Sequence, residues 1–263
     1  MTRLIENLLA AVGRPLVWAG RGARELSGTT WHTFGLIFRG RIPWRSVIQQ
    51  SHVIGNGSLG FITVTLGFLG LISVYQAALQ IQQIVPDFTM LGAAFLSMLL
   101  REFAPTIAGL MIATRVGSGI AAELGSMTVT EQVDALRMCN ADPIEYLIVP
   151  RTIACAVMMV MLSIYGAAIA YFCGMICADL AFGVNYRTFL NLQLASSDDV
   201  IIGIAKAFSY GVAIPIIAGQ AGLNAKGGSE GVGWATTSAV VNTSFAVIVL
   251  DFILSGLGYV FFP

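Results

Sequence analysis

The sequence is short of charge. Of its 263 residues, 11% are Asp, Glu, Lys or Arg, against roughly a quarter in an ordinary soluble domain. A protein folded in water needs polar surface to cover its outside. This chain is 56% hydrophobic, with a mean hydropathy of +0.80. That excludes an ordinary cytosolic enzyme, a nucleic-acid binder and a disordered polymer. Fourteen basic residues balance fourteen acidic ones, so net charge selects no acidic or basic partner. Histidine is almost missing: His32 and His52 stand alone, and no H-E-x-x-H occurs. The four cysteines (139, 155, 173 and 177) have neither C-x-x-C spacing nor a nearby histidine cluster. They read as small apolar filler, with no metal site. No G-x-x-x-x-G-K-[ST] is present, because Gly222-Leu-Asn-Ala-Lys-Gly227 has the wrong order. There is no G-x-S-x-G, and the glycine-rich stretch 227–233 follows no strand. Glu6 and Asn7 break the run from Leu4 to Val12 before a signal-peptide core develops.

What the chain has is long apolar runs. A hydrocarbon layer about 30 Å thick takes about 20 helical residues. The stretch from Thr152 to Ala178 has no charge at all and is the clearest span. Further spans are expected at 56–78, 88–114, 200–223 and 235–262, giving an all-α integral membrane protein built as one domain over 1–263. Residues 1–45 differ. They hold seven of the fourteen basic residues (Arg3, Arg14, Arg21, Arg24, Arg39, Arg41, Arg45) and three Trp (18, 31, 44). Leu4, Ile5, Leu8, Leu9, Val12 and Leu16 recur at helical spacing, as in an amphipathic helix lying in the interface. Arg and Lys in the flanks then orient the chain. Arg115, Arg137 and Arg151 put the second loop on the side of the basic N-terminal segment, the cytoplasm. Asp87, Asp179, Asp198 and Asp199 mark the outer side. Five crossings leave the C-terminus there.

Two features carry chemistry. The first is the polar segment 128–143 between spans two and three. Thr128 or Thr130 can cap a short helix there, with Glu131 and Asp134 near its positive end, and Asp142-Pro143 stops it. Such an exposed helix can dock into a partner. The second is charge at membrane depth: Arg101, Glu102, Lys206 and Asp251. Such groups are functional candidates unless they pair with one another and hold the bundle together. Arg101 and Glu102 lie about 100° apart on a helix, so they face different ways. Pro105 breaks the helix beside them. That break is expected to border an apolar cavity lined by Leu66, Leu69, Tyr75, Gln76, Arg101 and Glu102, with Arg101 able to meet a lipid phosphate.

The spacing Glu131…Leu147-Ile-Val-Pro150 resembles the cytoplasmic EAA loop of ABC importer permeases, without its Ala-Ala and central Gly. A wider resemblance covers roughly residues 50–255. It runs through Leu99-Leu-Arg-Glu-Phe-Ala-Pro105, Ala113-Thr-Arg-Val-Gly-Ser-Gly119, Ala122-Glu-Leu-Gly125, Thr130-Glu-Gln132, Ala141-Asp-Pro143 and Val149-Pro-Arg151. It continues in Gly228-Ser-Glu-Gly-Val-Gly-Trp-Ala-Thr-Thr237, Ala239-Val-Val241 and Leu250-Asp-Phe252. These motifs resemble the MlaE/YrbE permeases; Trp234 departs from the basic residue usual there.

The resemblance implies the membrane subunit of an ABC system moving phospholipid or similar lipid between the bacterial inner membrane and the outer envelope. It implies a homodimer and a separate cytoplasmic ATPase that binds ATP and Mg, leaving this chain without cofactor or enzymatic activity. An MCE-domain lipid-binding protein on the periplasmic side and, in some systems, a small STAS-domain protein complete the assembly. Glu131, Gln132, Asp134, Arg137, Asp142 and Pro143 are the residues expected to meet the ATPase. The competing expectation is an ion-coupled secondary transporter or channel using the charges at depth as a relay.

Overall fold

The computed structural model describes residues 24–40, 42–84, 88–190 and 196–261. The expected interfacial helix on Leu4 to Leu16, and Asp87, lie outside these residues. Within them every regular element is a helix, and five helices are long and apolar enough to cross a membrane. Span 1 is Trp44–Gln83, span 2 Leu91–Val129, span 3 Ile144–Phe182, span 4 Ser197–Leu223 and span 5 Ser229–Phe261. A helix over 24–38 precedes them, and a short helix, Gln132–Met138, lies between spans 2 and 3. The first helix, Trp44–Ile84, has 41 residues. At 1.5 Å per residue that is about 60 Å, roughly twice a hydrocarbon layer. Its ends therefore project well beyond the apolar core of 56–78.

Spans 1 and 3 make the most extensive helix contact. A small-residue face, Gly166, Ala170, Gly174 and Ala178, lets them close in. Leu66 fills the space a side chain on Gly166 would need, a Cβ on Gly70 would strike the Ala170 backbone, and Val74 packs over Gly174. Residue i of span 1 thus meets residue i+100 of span 3, so the two helices run parallel. Contacts of Leu100 with Gly203, Gly109 with Tyr210 and Leu124 with Gly222 rise together in number, so spans 2 and 4 are also parallel. Thr106 with Asp251 and Gly117 with Thr243 run oppositely, so span 5 is antiparallel to span 2. The bundle therefore alternates. The 24–38 helix, the 130–143 segment and the 224–228 turn share one end, called proximal here, where His32 Nε2 lies 3.5 Å from Asp142 Oδ2. Residues 183–190 and 196 sit at the distal end.

Span 2 is not a plain α-helix. Leu99–Phe103 and Ala113–Gly117 are π-helical turns, as is Ile144–Ile148 at the start of span 3. The first has a readable cause. Ala104 N–H donates to the Leu99 carbonyl five residues back, and Pro105 has no N–H. Neither is left to serve the Leu100 carbonyl. Gly203 of span 4 lies directly against that oxygen, where a side chain would collide with it; a Cα–H can make a weak hydrogen bond there. The third turn repeats the pattern: Val149 N–H reaches Ile144, and Pro150 follows.

Candidate functional site

The charges at depth meet in one layer. Lys206 is fully buried on span 4. Its ammonium lies 2.5 Å from Glu102 Oε2, 3.0 Å from Asp251 Oδ1 and 2.7 Å from Ser255 Oγ. Three N–H donors thus find three acceptors. Ser255 Oγ is 3.2 Å from both Glu102 oxygens. Thr106 Oγ1 and Tyr210 OH both donate to Asp251 Oδ1, at 2.9 and 2.7 Å. The construction is regular: each of three spans presents two residues four apart on one face. They are Glu102 and Thr106, Lys206 and Tyr210, and Asp251 and Ser255. Two carboxylates share one lysine, so the layer carries one formal negative charge.

Arg101 does not join it. Its guanidinium turns away, 3.8 Å from Asp199 Oδ1. Asp199, which the sequence presents only as a marker of the outer side, is buried at the distal start of span 4. It also accepts from Ser97 Oγ at 2.7 Å and from Ser196 N–H at 3.3 Å, closing a capping box. The charges expected at depth therefore pair among the spans. Thr106, Tyr210, Ser255, Ser97 and Asp199 complete the pairing; the signal that finds the first three is spacing, four residues from a charge inside an apolar run.

The expected cavity residues are not brought together. Leu66 is fully buried against span 3 and so packs between helices. Leu69 is partly buried against the same core, Tyr75 packs tilted against Phe182 with ring centres 5.6 Å apart, and Gln76 is exposed. All four lie on span 1, whose partner is span 3, whereas Arg101 and Glu102 face span 4.

The proximal segment is differently built from the sequence expectation. Thr128 and Thr130 cap nothing: their hydroxyls donate back to the carbonyls of Leu124 and Ser126, both at 2.8 Å. Glu131 sits at the cap itself, in the left-handed region at φ 61°, with no side-chain cap bond. The expected helix over 128–143 is thus divided. Span 2 runs to Val129, Gln132–Met138 forms its own helix, and Asn140 at φ 56° turns the chain away. Asp142-Pro143 opens span 3 rather than stopping that helix, since Asp142 Oδ1 accepts from Ile144 N–H at 3.0 Å. Val133 is buried and anchors the short helix. Glu131, Gln132, Asp134 and Arg137 are exposed, Asp134 and Arg137 pairing at 2.9 Å.

A clasp closes the base of this segment. Arg151, buried at the start of span 3, meets Glu123 of span 2 at 2.7 Å and donates to the Leu147 carbonyl at 2.6 Å. Ends of spans 2 and 3 are thereby tied on either side of Gln132–Met138. Among the described residues no cluster of His, Cys, Asp and Glu is arranged to hold a metal.

Five helices long and apolar enough to cross a membrane, three of them joined by an internal charge layer, define a multi-pass α-helical membrane protein. A family model described as "Permease MlaE" matches residues 47–257, nearly the whole bundle. The chain belongs to the MlaE permease family. It is 38% identical over 230 residues to a Synechocystis protein described as a "Probable ABC transporter permease protein", covering 87% of each chain. A Rickettsia bellii protein of the same description is 33% identical over 256 residues, 97% of this chain and 98% of that one. The chloroplast protein TRIGALACTOSYLDIACYLGLYCEROL 1 of Arabidopsis thaliana is 33% identical over 245 residues, 91% of this chain and 68% of that protein. The chain is accordingly an ABC-transporter permease of multi-pass topology.

Proposed function

We propose that this permease moves phospholipid or a similar lipid between the bacterial inner membrane and the outer envelope, driven by ATP hydrolysis on a separate ATPase. The observation that carries the coupling is the segment between spans 2 and 3. It exposes Glu131, Gln132, Asp134 and Arg137, is anchored by Val133, and is clasped at its base by Arg151 and Glu123. A carboxylate on an exposed helix suits a basic or hydrogen-bonding groove on the ATPase. Asp142 and Pro143 border the same segment. The sequence has no P-loop motif, which supports the reading that ATP and Mg bind that partner. The lipid class rests on the family and on the lipid named in the plant relative.

The proximal end faces the cytoplasm in this reading. It carries Arg24, Arg39, Arg45, Arg137, Arg151 and Lys226, whereas the described distal connection carries Arg187. Span 5 suits a second copy of the chain. Its apolar window is 11% buried, against 33–50% in the other spans, and Val241, Phe245, Ile248, Phe252 and Tyr259 are exposed along it. An MCE-domain protein then meets the distal end, and a STAS-domain protein, in systems that have one, the ATPase.

The test is reconstitution of the permease with its ATPase in proteoliposomes, reading ATP hydrolysis and lipid movement together. Lipid movement that needs ATP and the second subunit is expected. Solute movement driven by an ion gradient with the permease alone would replace this reading with the secondary-transporter one.

A further inference from the structure

Two cavities lie side by side where the 24–38 helix leans on spans 4 and 5. One, of about 530 Å³, has polar groups at Glu25, Gln220, Asn224, Lys226 and Asn242, with Trp234 at its exposed rim. Its neighbour, of about 370 Å³, is apolar, lined by Phe34 of the N-terminal helix, Phe208, Val212 and Ile216 of span 4, and Leu250 of span 5. Leu26 and Ile217 line both, so the two spaces adjoin at these side chains. No residue of the charge layer lines either.

Gln220 supplies the second observation. Its side chain is 9% exposed, it lines the polar cavity, and its Oε1 is buried with no hydrogen-bond partner. Buried acceptors in folded proteins are almost always paired; this oxygen is sealed from the cavity as it stands, and a turn of the Gln220 amide presents it to a donor there. Glu25 and Lys226 add one anion and one cation to the same space, and neither forms an ion pair with another described residue.

We propose that these joined cavities hold one zwitterionic membrane lipid. Its phosphate faces Lys226, and its ammonium faces Glu25 and, once the Gln220 amide turns, that amide's oxygen. Its glycerol region passes Leu26 and Ile217, and an acyl chain enters the slot beside Phe208 and Val212. The volumes fall within the range of small-ligand sites, roughly 300–1,000 Å³. The charge pattern selects the headgroup: a net anionic lipid would leave Glu25 facing an anion. Trp234 suits the rim because an indole prefers the headgroup zone. The site goes beyond the transport reading and needs only that the chain lies in a bilayer.

The test uses full-length protein in nanodiscs of mixed phosphatidylethanolamine and phosphatidylglycerol, with retained lipid counted by native mass spectrometry after detergent release. Preferential retention of phosphatidylethanolamine is expected. Lys226→Ala should lower it about fivefold, the scale of one lost charge-assisted hydrogen bond. Glu25→Gln should turn the preference toward phosphatidylglycerol. Ser209 is half-buried and borders the apolar slot, so Ser209→Trp should fill the slot and abolish retention, with an unchanged melting curve showing that the bundle is intact. Unchanged retention in all three variants, or equal retention of the two lipids by the unmodified protein, overturns the proposal. So does displacement of the lipid by free phosphoethanolamine at equal concentration, which would mark a headgroup site without a chain slot. Since no ATP hydrolysis or lipid movement is read, failure of the transport reading leaves this result untouched.

Discussion

Tyr210 and Lys206 deliver hydrogens to the same atom, Asp251 Oδ1, at 2.7 and 3.0 Å. They stand one turn apart on span 4, so a single face of that helix grips span 5 twice. Lys206 then reaches across to Glu102 of span 2. Three helices are joined through one ammonium, in a region where a free charge is costly.

Removing the ammonium should therefore cost more than removing the whole layer. Lys206→Met leaves two carboxylates facing one another, and breaking a buried pair in this way costs on the order of 3–5 kcal/mol. Lys206→Met with Glu102→Gln and Asp251→Asn leaves no uncompensated charge and should recover most of that loss. Thermal unfolding in detergent, read by proteolysis, checks the order. A single variant as stable as the triple one would show that the layer holds nothing together.

Pro105 sets the angle at which Glu102 arrives. Pro105→Ala restores an N–H and allows the Leu99–Phe103 turn to relax toward an α-helix. One residue fewer in that turn rotates Glu102 by about 100° relative to the helix below. The usual gain from taking proline out of a helix, about 3 kcal/mol, should then be absent, and transport should fall. Hydrogen exchange across 99–106 should slow while the Lys206 contact is lost. Exchange and transport both unchanged would detach the π turn from the site.

Glu131 separates folding from coupling. A non-glycine residue in the left-handed region costs about 1–2 kcal/mol. Glu131→Gly relieves that and removes the carboxylate. The variant should be as stable as the parent or slightly more so, while binding less ATPase and transporting less. Co-purification with the ATPase and a melting curve read the two effects separately. Full ATPase binding by Glu131→Gly would move the docking role to another residue of the segment.

Gly203 is the third lever. A methyl group there meets the Leu100 carbonyl, which is backbone and cannot step aside. Gly203→Ala should destabilise by about 1–3 kcal/mol, the usual cost of overpacking. It should also weaken transport, because Lys206 lies one turn further along the same helix. A melting temperature equal to the parent's would mean that span 4 slides to make room.

The sequence made the five crossings legible because apolar length alone defines them, and it made Arg101, Glu102, Lys206 and Asp251 conspicuous because charge is rare in such runs. It also hid their partners. Thr106, Tyr210 and Ser255 are ordinary residues in a membrane helix, and only their spacing from a charge gives them away. The threonine caps failed for a local reason: inside a helix a threonine hydroxyl bonds back to the previous turn, and span 2 ran on to Val129. Left-handed φ at Glu131 and Asn140 has no composition signal. The π turns left a trace, since two of the three end two residues before a proline. The paired cavities could not be read at all, because they join residues more than 200 positions apart, such as Phe34 and Leu250.

The contact between spans 1 and 3 is of another kind from the charge layer. Apart from the hydroxyls of Thr63 and Tyr165, 2.8 Å apart, its described contacts are apolar: glycines, aliphatic groups, the sulfurs of Met158 and Cys173, and the Tyr75–Phe182 ring pair. Such a seam holds by fit: Leu66, Gly70 and Val74 sit in notches of span 3, and a gap of about 0.5–1 Å already forfeits a quarter to a half of a dispersion contact. Spans 2, 4 and 5 must break charge pairs before they move at all. The molecule thus holds one block joined by charge and one joined by shape, and the Arg151 clasp ties the two together next to the helix Gln132–Met138. A push on that helix would reach both blocks through that one pair.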